Sequence, residues 1–192
     1  MTSPPFPRWL LVGFVLLSWS PSTNAQPTAL VSPTAINPAD STVIENATVV
    51  IDGDSIWTVG PSSEVGVPEE ATVHRTPDKY VMPGLIDGHV HFFQSGGLYT
   101  RPDAIDLRAV RPYKEELRRI KERLPDTFRR YLRSGVTSVV DVGGPMWNLD
   151  MRTRADTAAM APTVEVAGPL ISSVSRPSLD RDDPPILKIT DP

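Results

Sequence analysis

The chain has 192 residues, 40% of them apolar, and a formal net charge of −4. That length and apolar share suffice for one sizeable domain or two small ones, and the mildly acidic balance argues against a nucleic-acid binder, which needs a basic face. Cysteine is absent, so disulfides and thiolate metal sites are excluded and any bound metal must take nitrogen and oxygen ligands.

The first 25 residues read as an address. Arg8 precedes an apolar run from Trp9 to Leu17, and Ser18, Trp19, Ser20 and Pro21 lead to Thr23-Asn24-Ala25. A charged start, a short apolar run and a small-residue cut site make a secretory signal. Cleavage is expected after Ala25, with Gln26 as the new N-terminus and an exported product, periplasmic or secreted. The run is too short to cross a bilayer, which takes ~20 apolar residues, so no membrane span is expected in the mature form. The bland alternative is a buried strand or a short core helix.

From Leu30 to about Arg75 the chain reads as short strands. Val43-Ile44, Thr48 to Ile51 and Ser55 to Val59 are rich in β-branched residues. Asp52-Gly53-Asp54 marks a hairpin between the last two, and Gly60 to Ser63 closes it. A small antiparallel sheet is expected over residues 26–79, too small to be stable without another layer.

Residues 80–192 switch to an alternating pattern. Pro83-Gly84 marks a turn before a strand candidate, Leu85 to His91, and a loop from Phe92 to about Arg111 contains Gly96-Gly97. Leu117, Ile120, Leu124, Phe128, Tyr131 and Leu132 recur at helical steps. Pro112 suits the first turn, Pro125 is expected to break or kink the helix, and Gly135 suits its C-terminal cap. Val136 to Val142 forms a second strand. A short helix around Met151 to Met160 and a third strand, Thr163 to Ile171, follow, with Ile186 to Ile189 as a further short strand. Strand–helix alternation implies parallel pairing in an α/β layer or barrel.

His89 and His91 are two of the three histidines in the chain. Residues two apart on a strand share a face, so the two imidazoles form half a site for a divalent metal. Taken alone, the spacing is more often that of a chance pair on a surface than of a ligand pair. The pair ends a strand ahead of a glycine-containing loop and a helix, where β/α barrels gather catalytic groups.

In that setting Val81-Met82-Pro83-Gly84-Leu85-Ile86-Asp87-Gly88-His89-Val90-His91 resembles the signature of the amidohydrolase superfamily. The preceding strands, with Asp52-Gly53, are similar to that superfamily's N-terminal β-sandwich segment. Gly135 to Gly144 is similar to the second barrel strand of the branch related to imidazolonepropionases and some prolidases. The resemblance runs from about Leu30 to Ile171. It implies an incomplete TIM (β/α)8-type metal-dependent hydrolase barrel preceded by a small β-sandwich segment. Leu85 to Pro192 is less than half of the ~250 residues of a full barrel, so three or four barrel strands are expected, and the 192 residues alone are expected to be inactive.

The resemblance further implies that His89 and His91 bind the more buried ion of a one- or two-metal centre, zinc by default for nitrogen and oxygen ligands at a hydrolytic site. Metal-activated water would cleave an amide or cyclic amide bond, or a dipeptide. The family's other ligands, commonly a carboxylated lysine, two histidines and an aspartate that also moves the proton, are expected beyond Pro192. His74 precedes the barrel and reads as a surface residue of the small sheet, and Lys188 is set aside as the approach to a later helix.

Asp87, by the two-residue period, shares the face of His89 and His91. It would either orient a ligand histidine from behind or cap local backbone donors. Asp141, at the end of the next strand, carries the same two readings: support for a ligand, or a turn former before Gly143-Gly144. Phe93, Gln94 and Tyr99 follow the metal strand as candidates for substrate contact, with ordinary loop packing as the alternative. Lys114, Arg118, Arg119, Lys121 and Arg123, interleaved with Glu115, Glu116 and Glu122, read as a solvated helix face. The expected partner is a small-molecule or peptide substrate. Two other classes share some of these features: an all-β metal oxygenase of the cupin type, which the helix after Pro112 argues against, and a non-catalytic exported binding module.

Overall fold

The structure is a computed structural model that describes residues 26–94, 97–98, 107–174 and 182–189. The expected signal segment lies outside the described residues. The packing divides the chain into two compact units, with the boundary between Met82 and Pro83.

The first unit is all strand. In chain order it holds β1 (Thr28–Val31), β2 (Thr34–Asn37), β3 (Thr42–Ile44), β4 (Ala47–Asp52), β5 (Ser55–Pro61), β6 (Thr72–Arg75) and β7 (Tyr80–Val81). They form a four-stranded sheet ordered β5-β4-β1-β6 and a three-stranded sheet ordered β3-β2-β7. The hairpin read from Asp52-Gly53-Asp54 is present, with Asp52 opposite Ser55. Two expectations change. The sheets are mixed, because β6 lies parallel to β1 and β7 parallel to β2. Strand β5 also continues through Pro61, and the turn begins at Ser62. Proline is tolerated there because β5 is an edge strand, where a missing N–H leaves no inner ladder unpaired. Ala29, Ala47, Val49 and Val50 are buried, and the register sets Ala29 opposite Val50 across β1 and β4.

The second unit alternates strands and helices. It runs β8 (Leu85–Val90), a 3₁₀ turn (Phe92–Gln94), α1 (Tyr113–Arg133), β9 (Val136–Asp141), a 3₁₀ turn (Met146–Asp150), α2 (Met151–Asp156), β10 (Thr163–Val166), β11 (Leu170–Ser172) and β12 (Ile186–Lys188). Strands β8, β9 and β10 form one parallel sheet ordered β10-β9-β8, and β11 pairs in parallel with β12. The described strands are mixed with helices in several small sheets and do not close into a barrel.

The core of this unit is one cluster of buried side chains, with Val90 at the end of β8, Phe92 and Phe93 just after it, Ile120, Leu124 and Phe128 on α1, Val139 on β9, and Trp147, Met151, Ala155 and Val164 beyond. The stripe on α1 explains why Pro125 does not break the helix as expected. An interior proline costs about 3 kcal/mol, whereas each buried Ile, Leu or Phe contributes roughly 1.5–3 kcal/mol. Pro125 faces solvent. Gly135, at φ +79°, follows the helix in the left-handed conformation that terminates it.

The third expected strand is two. The run from Thr163 to Ile171 is interrupted by Gly168-Pro169 and its halves belong to different sheets. Pro169 has no N–H to offer a ladder. Glu116 departs from the solvated helix face expected of it. It is buried, with 2% of its surface exposed, and accepts hydrogen bonds from the Leu98 backbone N–H and the Arg111 guanidinium.

Candidate metal centre

In this parallel sheet the ends of β8 and β9 lie side by side, with Val90 opposite Asp141. The pairing shifts between Asp87 and Val90, where β8 advances three residues while β9 advances two. Strict two-residue alternation therefore does not carry from Asp87 through His89. Such irregularities re-aim side chains at strand ends.

His89 is exposed and His91 half-buried. Their ring centroids lie 5.3 Å apart at an interplanar angle of 86°. Two imidazoles bound through nitrogen to one tetrahedral ion at ~2.0–2.1 Å have centroids about 5 Å apart, so the spacing fits a shared cation. The chemistry of His91 fits as well. Its Nδ1 lies 2.7 Å from the carbonyl oxygen of Gly143. A carbonyl only accepts, so Nδ1 carries the proton, and in the neutral ring the lone pair sits on Nε2. A backbone carbonyl behind one ring nitrogen is the usual way a ligand imidazole is oriented. Phe93 packs edge-on against the same ring at 5.8 Å. Among the described residues no three His, Cys, Asp or Glu side chains gather to enclose an ion.

Asp141 is fully buried and ties this corner together. Its Oδ2 accepts from the Phe92 backbone N–H at 2.8 Å and from Asn148 Nδ2 at 2.8 Å. Its Oδ1 accepts from the Gly143 N–H at 3.1 Å. One carboxylate thus holds the residue after His91 and the residue whose carbonyl holds the His91 ring. Burial pushes the Asp141 carboxyl above its ordinary range, against the opposing pull of the Phe92 and Gly143 donors and of His91. Asp87 is half-buried, and its Oδ1 accepts from the His89 backbone N–H at 3.2 Å, which is the local-capping geometry. Burial, with the charges of Asp87 and Asp141 behind it, pushes the Tyr131 phenol up. The end of α1 therefore lies under the same corner, where Tyr131 packs on Phe92.

His74 lies on β6 in the first unit and is exposed. Phe93 is buried and Gln94 half-buried, while Tyr99 lies outside the described residues. Asn148, which is fully buried, and the Gly143 carbonyl are not legible as site groups in the sequence. A main-chain oxygen has no sequence signature, and a single asparagine in a loop looks like any turn residue.

A family model described as "Amidohydrolase family" matches residues 80–184. An adenine deaminase from Ruegeria sp. (strain TM1040) is 31% identical over 59% of this chain and 18% of its own. Among solved structures, a prolidase complexed with N-methylphosphonate-L-proline is 26% identical, with a TM-score of 0.56 over 76% of this chain and 33% of that one. A putative prolidase from Bifidobacterium longum is also 26% identical, with a TM-score of 0.59 over 87% of this chain and 35% of that one. The chain therefore spans about a third of these structures and less of the deaminase. The strand-end histidines, the parallel strands that carry them and a family match over more than half of the residues lead to one conclusion: the chain belongs to the amidohydrolase family.

Proposed function

We propose that the chain contributes His89 and His91 to a divalent metal centre, zinc by default, of an exported enzyme that hydrolyses C–N bonds. The observation that carries this reading is the pair of imidazoles 5.3 Å apart at the end of β8, one of them held by the Gly143 carbonyl with its proton on Nδ1. Membership of a family that is typically metal-dependent supports it. The substrate class is a small amide, a cyclic amide or a dipeptide; relatives described as prolidases support the last.

When bound, a divalent cation lowers the pKa of water toward neutrality and polarises a carbonyl. The residues of this chain orient the ligands. Gly143 keeps the His91 ring in one tautomer. Asp141, through Phe92 and Gly143, keeps the main chain on both sides of that ring in place. Phe93 limits ring rotation and excludes water from one side. Two imidazoles make at most half of a four-coordinate shell. The reading therefore requires further ligands, and a group that accepts a proton from water, outside the described residues.

The test is metal binding by the full chain and by its single-histidine variants. Zinc bound near equimolar ratio, and lost on His89→Ala or His91→Ala, is the expected result. Zinc binding unchanged by either substitution would sink the reading. Export is tested separately by the mass of the mature N-terminus.

A further inference from the structure

We infer that Asn148 is a positioning residue for the His91 imidazole, acting through Asp141 and Gly143. The inference rests on the reading of His91 as a metal ligand. It extends that reading to a residue in another loop, 57 positions along the chain by its numbering.

Four observations converge on Asn148. Its side chain is fully buried, which is rare for an amide unless its hydrogen bonds specify something. Its Nδ2 donates to Asp141 Oδ2 at 2.8 Å, the same oxygen that accepts from Phe92 N–H at 2.8 Å. Its Oδ1 is buried without a hydrogen-bond partner among the described residues, so the amide is kept for the donor side. Finally, it is locked in place. A Cβ added to Gly144 would lie 2.8 Å from Asn148 Cγ and 2.9 Å from Phe93 Cδ1. The amide and the ring that packs on His91 thus close on the same bare backbone.

The consequence follows from geometry. With Asn148 and Phe92 donating to Oδ2 and Gly143 N–H to Oδ1, the Asp141 carboxylate cannot rotate without breaking three bonds. The Gly143 peptide then stays oriented with its carbonyl toward His91 Nδ1. Removing the Asn148 donor leaves Oδ2 to the Phe92 N–H alone, which loosens the carboxylate, lets the Gly143 peptide tilt and weakens the choice of tautomer. A residue that merely filled space would change stability and leave the tautomer alone. The loop that carries Asn148 has its own anchor: the Asp183 carboxylate accepts from the N–H groups of Met146 at 2.7 Å and Trp147 at 3.2 Å.

The experiment uses the full chain labelled with ¹⁵N. Long-range ¹H–¹⁵N spectra of the metal-free protein report which ring nitrogen of His91 holds the proton, with His91→Ala identifying the signals. The expected result is an Nδ1–H ring in the wild type and a mixture with Nε2–H in Asn148→Leu. Zinc affinity, read by competition with a chromophoric chelator, should fall about 10–100-fold in Asn148→Leu. It should fall little further when Asn148→Leu is added to Asp141→Asn, because the two act as one unit. An Asn148→Leu protein that keeps the Nδ1–H ring and wild-type zinc affinity overturns the inference, as does an Nε2–H ring in the wild type. If Asn148→Leu does not fold, Asn148→Ser, with a shorter donor, is read in the same way. If His91→Ala keeps zinc affinity, the metal reading falls, while the tautomer comparison still decides the role of Asn148.

Discussion

The His91 ring donates from Nδ1 to the carbonyl of Gly143 across 52 residues of chain, at 2.7 Å. This contact joins the ends of β8 and β9 and orients an imidazole that neither strand could orient alone. In a parallel sheet such strand ends converge at one edge, which is why functional groups collect there.

The first prediction concerns which histidines matter. His89→Ala and His91→Ala should each lower zinc stoichiometry and affinity, whereas His74→Ala should change neither. Metal analysis of the purified variants after dialysis against a weak chelator checks this. Loss of zinc on His74→Ala alone would contradict the assignment.

Asp141 is the costlier residue to remove from the fold. Asp141→Ala strands three donors, the N–H groups of Phe92 and Gly143 and the Asn148 amide, each worth about 1–3 kcal/mol when left unpaired in the interior. A loss of roughly 3 kcal/mol or more is expected in urea titrations. Asp141→Asn keeps one acceptor oxygen and should lose less.

Acid should weaken the anchor between the start of α1 and the loop before it. Burial alone would push the Glu116 carboxyl up, but the Arg111 guanidinium, the Leu98 N–H and the field of Arg119 outweigh it and hold it below its ordinary value of 4.5. A carboxyl depressed in the folded state contributes its full stability above the unfolded value and loses it as pH falls through the folded value. Stability should therefore decline from about pH 4.5 downward. Glu116→Gln should be less stable at neutral pH and should flatten that decline. Urea midpoints measured between pH 3 and 7 check both.

Gly144→Ala should destabilise the second unit by about 1–3 kcal/mol, the usual cost of overpacking, since the new methyl meets Asn148 and Phe93 inside van der Waals distance. Gly66→Ala, with nothing within 4 Å, is the control and should be near neutral. Thermal unfolding of the two variants separates them.

Secretion should yield a protein that begins at Gln26. Intact mass of the product from a secreting host checks this, and an exported protein that retains residues 1–25 would contradict it.

Local patterns determined much of this protein. The Asp52-Gly53-Asp54 hairpin, the apolar stripe from Ile120 to Phe128, the Gly135 stop and the histidine pair were legible because each depends on neighbours within a few residues. The family was legible too, because its motif around Pro83 to His91 is contiguous. Tertiary structure decided the rest. Glu116 resembles the other charged residues of α1 until Arg111 and the Leu98 N–H close over it. Thr163 to Ile171 has the composition of one strand, yet Pro169 ends its pairing with β9 and the second half finds β12. The orientation of His91 rests on a main-chain oxygen of Gly143, on Asp141 and on Asn148. Nothing in residue type reports which backbone carbonyl a fold will bring to an imidazole, because that hydrogen bond exists only once β8 and β9 lie side by side.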